Sequence, residues 1–179
     1  DQFNNADLGS NRYVDGSNGY PEARTAAMRW DGSTMWAGTQ AGLVRLTESS
    51  AELVLDEAVL GRDSFVRSMA LHPDGRLILA GNFGMVAFDG ETAVSLHDDS
   101  IAFPTVTVAP SGDIFAGSVS SQTAGLYRFD GSGWTRFTTA DGLPSNSVRT
   151  VFVDSSGALW VGMGDTNFGG GVVRIANGS

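Results

Sequence analysis

Four times along this chain an apolar run follows a turn and closes on a glycine: "TMWAG" (Thr34 to Gly38), "LILAG" (Leu77 to Gly81), "DIFAG" (Asp113 to Gly117) and "ALWVG" (Ala158 to Gly162). The glycines stand 43, 36 and 45 residues apart, a period that belongs to propellers and solenoids. A turn pair precedes each run: Asp31-Gly32, Asp74-Gly75, Ser111-Gly112 and Ser156-Gly157. Before each turn lies a strand-like segment, "RTAAM" (24–28), "RSMAL" (67–71), "PTVTV" (104–108) or "RTVFV" (149–153). After each glycine comes another, "GLVRL" (42–46), "GMVAF" (84–88), "GLYRF" (125–129) or "GVVRI" (171–175). Three units carry a further strand, "ELVL" (52–55), "AVSL" (93–96) and "GWTRF" (133–137).

No 3.6-residue periodicity runs through these units, which excludes an α-solenoid. Four short antiparallel strands per repeat make a propeller blade. The Asp-Gly pairs at 31–32, 74–75, 89–90 and 130–131 suit tight hairpins, because glycine takes a positive φ without steric cost. The expected fold is all-β: a four-bladed β-propeller of four-stranded antiparallel blades, with an arm over 1–20 and blades at 21–58, 59–98, 99–139 and 140–179. The fourth unit lacks an outer strand. "NRYVDGSNGYPEART" (11–25) is similar to "TRFTTADGLPSNSVRT" (135–150), so residues 10–14 are expected to complete the last blade, in cis or in trans from a neighbouring copy.

Composition narrows the function. The 179 residues carry a net charge of −9 with all 11 basic residues arginine, so the clustered cations that a nucleic-acid groove needs are missing. With no cysteine there is no disulfide, thiolate metal site or cysteine nucleophile. No apolar run approaches the roughly 20 residues that span a bilayer as a helix. The chain opens at Asp1 without a signal segment, which leads to the expectation of an extracellular or periplasmic protein with a processed N-terminus.

Candidate binding residues are few. Arg24, Arg67 and Arg149 begin three of the four inner strands, with Pro104 in the other. Three guanidiniums at one mouth of the channel could hold a carboxylate or uronic acid by bidentate hydrogen bonds; paired instead with neighbouring aspartates, they would lock blade to blade. Trp134, on an outer strand, is the aromatic expected to meet a glycan or partner. Trp36, Leu79, Phe115 and Trp160 share a repeat position and are expected in the core. His72 and His97 lack metal-ligand spacing. "DTNFGGG" (165–171) has the opening of a calcium loop without its closing glutamate and reads as a long hairpin. Asn177-Gly178-Ser179 is a glycosylation triplet of the kind that arises by chance. No catalytic, metal or cofactor residue is assigned, and a non-enzyme is expected.

The stretch "GLPSNSVRTVFVDSSGALWVG…GGVVRI" resembles the two-component-regulator propeller repeat, found in periplasmic sensor regions of bacterial hybrid histidine kinases, many linked to polysaccharide sensing. "HPDGRLILAG" (72–81) is closer to NHL and gluconolactonase-type blades. Three functions follow as expectations. The first is a structural subunit that assembles with copies of itself, as a filament built by strand donation, through Phe3, Leu8, Arg12, Tyr13 and Val14 of the arm and Val172, Val173 and Ile175 of the open edge. The second, which the resemblance implies, is a ligand-sensing or carbohydrate-binding propeller. The third is a lactonase-like hydrolase, disfavoured because the inner strands carry almost no carboxylates.

Overall fold

Each repeat folds as a small antiparallel sheet. The computed structural model describes residues 19–21, 23–47, 50–61, 63–98, 100–165 and 169–176. Blade 1 holds β1 (Thr25–Trp30), β2 (Met35–Thr39), β3 (Gly42–Leu46) and β4 (Ala51–Leu55). Blade 2 holds β5 (Val66–Leu71), β6 (Leu77–Gly81), β7 (Gly84–Phe88) and β8 (Ala93–His97). Blade 3 holds β9 (Thr105–Val108), β10 (Ile114–Ser118), β11 (Gly125–Phe129) and β12 (Trp134–Phe137). Blade 4 has three strands among the described residues, β13 (Val148–Val153), β14 (Leu159–Asp165) and β15 (Gly169–Ile175). The strand expected to complete it, 10–14, lies outside the described residues.

The turns form for the reason their residue types suggest. Asp31 Oδ1 accepts the backbone N–H groups of Ser33 at 2.8 Å and Thr34 at 2.7 Å. Asp154 repeats this with Ser156 at 2.8 Å and Ala158 at 3.1 Å. These Asx-type turns satisfy donors that a two-stranded ladder leaves orphaned. At Gly75 and Gly157 the chain passes through φ of +93° and +81°, where a side chain would be strained.

Sheets stack because each presents two apolar faces. The face of a blade toward its predecessor is its leading face here, and the other its trailing face. Trp36, Leu43 and Leu55 on the trailing face of blade 1 pack on Leu77, Leu79, Val86 and Phe88 of blade 2. Ile78, Ala80, Met85 and Ala87 pack on Val106, Ile114, Ala116 and Tyr127 of blade 3. Leu126 and Phe115 pack on Val151, Leu159, Val161 and Val173 of blade 4. Burying one such large side chain contributes about 1.5–3 kcal/mol. Inner strands meet in the order β1, β5, β9, β13. Two hydroxyls stitch these contacts: Ser68 Oγ accepts the Val106 N–H at 3.1 Å, and Thr105 Oγ1 accepts the Val151 N–H at 3.2 Å.

Strand register corrects the sequence alignment. Trp36 is paired across its sheet with Arg29, Ile78 with Ala70, Phe115 with Thr107 and Trp160 with Phe152. Ile78, not Leu79, therefore occupies the position of Trp36, and Leu79 faces the opposite way. The cause is the place of the glycine: both hairpins have two-residue loops, but Gly81 pairs Gly84 as Thr39 pairs Gly42, so Ala80 and not Gly81 stands at the Gly38 position. Such a shift reverses every side chain. Trp160 departs from its expected place in the core as well: it is 38% exposed, whereas Trp36 is 5% exposed.

Candidate functional site

The C-terminal ends of all four inner strands border one cavity of ≈ 350 Å³. Arg29 enters from blade 1, Leu71, His72 and Pro73 from blade 2, Val108 and Pro110 from blade 3, and Val153 and Asp154 from blade 4. Its lining mixes the apolar side chains of Leu71, Pro73, Val108 and Val153 with the polar groups of Arg29, His72 and Asp154. Two of those polar groups are committed to the protein. His72 Nε2 lies 3.1 Å from the Gly112 carbonyl in blade 3, and its Nδ1 lies 2.7 Å from Asp74. Asp154 Oδ2 accepts the Trp160 indole N–H at 2.7 Å. Hydrogen bonds from Ser156 and from Trp160 hold its carboxyl well below the ordinary range, against the smaller opposing effect of burial.

Arg29 differs. Its side chain is exposed, and among the described residues it has no hydrogen-bond or ion-pair partner. This guanidinium at the cavity rim was missed in the sequence because aligning the repeats by residue type puts Ala27, not Arg29, opposite Ala70 and Thr107. Strand β1 is shifted by two residues relative to that alignment, so that Thr25 and Ala27 stand where Val66 and Ser68 stand in β5, about the same bulge, and only the register reveals it.

The arginines singled out by sequence sit at the starts of the inner strands. Arg67 donates from Nε to Asn82 Oδ1 at 3.0 Å and lies over the Phe65 ring, 4.6 Å from its centroid. Arg149 donates from Nε to the Gly164 carbonyl at 2.5 Å. Arg24 is exposed. Arg67 and Arg149 are thus tied to their own blades, not to aspartates of the next. Trp134 is half-buried between blades 2 and 3: its indole N–H donates to the Leu96 carbonyl at 2.9 Å and its ring stacks on Phe103 at 6.0 Å. His97 completes that aromatic cluster, 5.3 Å from Phe103 and 5.5 Å from Trp134.

Of the assembly residues, Phe3, Leu8, Arg12, Tyr13 and Val14 lie outside the described residues. Val172 is exposed, while Val173 and Ile175 pack on the core between blades 3 and 4. The tip of the 165–171 loop also lies outside. Among the described residues, no three acidic or histidine side chains group closely enough to hold a metal ion, and no helix is long and apolar enough to cross a membrane.

Residues 142–165 match the family model of the two component regulator propeller. No curated protein matches the sequence. Among solved structures, the extracellular domain of BT4673 from B. thetaiotaomicron, assigned as a hybrid two component system, is similar with a TM-score of 0.69 at 18% identity, over 87% of this chain and 22% of that one. The corresponding domain of BT3049 from the same organism gives 0.66 at 18% identity, over 99% of this chain and 22% of that one. Virginiamycin B lyase from Staphylococcus aureus gives 0.65 at 11% identity, over 89% of this chain and 58% of that one. The chain thus spans about a fifth of the length of the two sensor domains. It is a β-propeller whose residues 142–165, in the fourth repeat, match the two component regulator propeller model, and its fold is similar to that of the extracellular domains of BT4673 and BT3049.

Proposed function

We infer that this chain is a ligand-sensing propeller domain acting outside the cytoplasm, and that its ligand carries a carboxylate, as a uronic-acid glycan does. The match of residues 142–165 to the two component regulator propeller carries this reading. The cavity at the inner-strand ends supports its location, since Arg29 offers a planar pair of donors beside the apolar side chains of the lining. A ligand held there touches elements of all four blades, so binding favours one relative placement of the blades over others, which is what a sensor must convert into a signal. The filament reading has less support, because the family match and the similar extracellular domains point to sensing rather than to self-assembly. Likeness to a lyase at 11% identity concerns the fold alone.

Calorimetric titration of the whole chain with oligogalacturonates and oligoglucuronates tests the assignment, with neutral oligosaccharides of matched length beside them. Saturable binding of an acidic sugar, lost at least tenfold in Arg29→Ala and kept in Arg24→Ala, is the expected result. Binding that survives Arg29→Ala but disappears in Arg67→Ala or Arg149→Ala moves the site to the other mouth. Failure of every acidic sugar to bind overturns the ligand class.

A further inference from the structure

The geometry points to the trailing face of blade 4 as a blade-docking surface that takes the leading face of blade 1 from a second copy, closing two chains into one eight-bladed ring. Three features of that face engage the next blade wherever a next blade exists. Trp160, hydrogen-bonded through its indole to Asp154, has the same arrangement as Trp36, whose indole bonds Asp31 Oδ2 at 2.7 Å. Trp36 then meets Phe88 of blade 2 edge-on at 5.7 Å; Trp160 has only the guanidinium of its own blade's Arg174 over its ring. Gly162 repeats Gly38 and Gly117, and those two are crowded by Val66 and Val148 of the following blades. Beside Gly162 the three nearest atoms all belong to Thr150 of its own sheet. Thr150 in turn repeats Ser68 and Thr105, the hydroxyls that accept an N–H from the next inner strand. Among the described residues the Thr150 hydroxyl has no such donor.

Phe152 and Val172, on this same face, are 61% and 68% exposed. Contiguous apolar exposure of this kind marks an interaction surface. The occupant follows from the repeat. At each internal junction the trailing face receives the leading face of a blade, and among the described residues one leading face has large apolar side chains open to solvent. That face is on blade 1, where Met28 and Trp30 are 61% and 54% exposed. Register places them where Met69 and Leu71 stand in blade 2, and those two pack on blade 1. Between blades 4 and 1 of one chain the described residues form no interface comparable with the three internal ones. Two copies related by a twofold axis make the missing junction twice, and the closed ring leaves no such face uncovered.

Light scattering on the purified chain across a hundredfold concentration range, with electron microscopy, decides it. The expected result is a species of twice the 18.7 kDa chain mass that appears as a ring. Phe152→Glu on blade 4 and Met28→Arg on blade 1 each place a charge in the junction, and each alone is expected to give a monomer with unchanged circular dichroism. Mixed together, the two variants are expected to form a mixed dimer, since one junction then joins Glu to Arg and the other is unaltered. A monomer at every concentration, dimers indifferent to both substitutions, or open-ended fibres overturn the inference.

Discussion

Adding one methyl group at Gly117 should separate blades 3 and 4, and the same change at Gly162 should not. An ideal Cβ at Gly117 would lie 2.6 Å from both Val148 Cγ1 and Val148 O, and 2.9 Å from Thr105 Cγ2. One of these is backbone across the blade junction, so relief requires the two sheets to shift apart. Overpacking of this kind costs about 1–3 kcal/mol, and the carbonyl contact places it at the upper end. Neither glycine has a positive φ, so alanine returns about 0.4–1 kcal/mol by restricting the unfolded chain. The net loss at Gly117 is about 2 kcal/mol, a fall in Tm of about 4–8 °C for a domain of this size.

At Gly162 the close neighbour is the Thr150 methyl group, a side chain on an open face that is free to rotate. There the two effects roughly cancel and Tm stays within about 2 °C. Gly133→Ala meets nothing within 4 Å and should raise Tm by about 1–3 °C. All three are to be measured by calorimetry and urea titration in the Phe152→Glu background, so that a second copy does not fill the Gly162 slot. Equal destabilisation by Gly117→Ala and Gly162→Ala would refute the account, because the argument rests on a neighbouring blade being present at one glycine and absent at the other.

Two further outcomes are expected in the same background. Trp36→Ala should cost about 3–5 kcal/mol by urea titration and Trp160→Ala about 1 kcal/mol or less; similar losses would mean that the two indoles are equally packed. Acid should erode stability through the turn aspartates. Burial alone would raise the Asp31 carboxyl, but hydrogen bonds from the Trp36 indole and the Ser33 and Thr34 backbone outweigh it and hold the group at about 2. Because the folded value is depressed, its contribution is present above about pH 4 and is lost as pH falls toward 2. Asp31→Asn keeps an acceptor for the backbone but turns an amide N–H₂ toward the indole N–H, so stability at pH 7 should drop by about 1–3 kcal/mol and the loss between pH 4 and 2 should shrink.

Much of the fold is legible because a blade is a local object. Its hairpins are written in Asp-Gly and Ser-Gly pairs, its strands in five-residue apolar runs, and its period in a recurring glycine; each of the four sheets appears where those signals place it. Register is less legible. Matching repeats on the glycine alone assigns Leu79 to the Trp36 position and hides Arg29, because a glycine set one residue later in β6 and a turn before β2 one residue shorter than the turn before β6 leave the residue types almost untouched while reversing or sliding what the side chains meet. The candidate ligand cavity falls in this gap: it is assembled from four chain segments, and the side chain that makes it interesting is placed by the register of β1.

Trp160 shows a second limit. Its apolar type, its aspartate partner and its glycine two residues on are those of Trp36, and all of them describe a residue meant to be covered by another blade. Residue type records which neighbour a face is built for, not whether the chain itself supplies one. Blades 1 to 3 satisfy that requirement from their successors, whereas blade 4 carries the same requirement with no successor among the described residues. The exposed indole of Trp160 is therefore no failure of the pattern. It is the pattern continued past the last strand of this chain, and it assigns to the surface of blade 4 the same chemistry that holds blades 1 to 4 together.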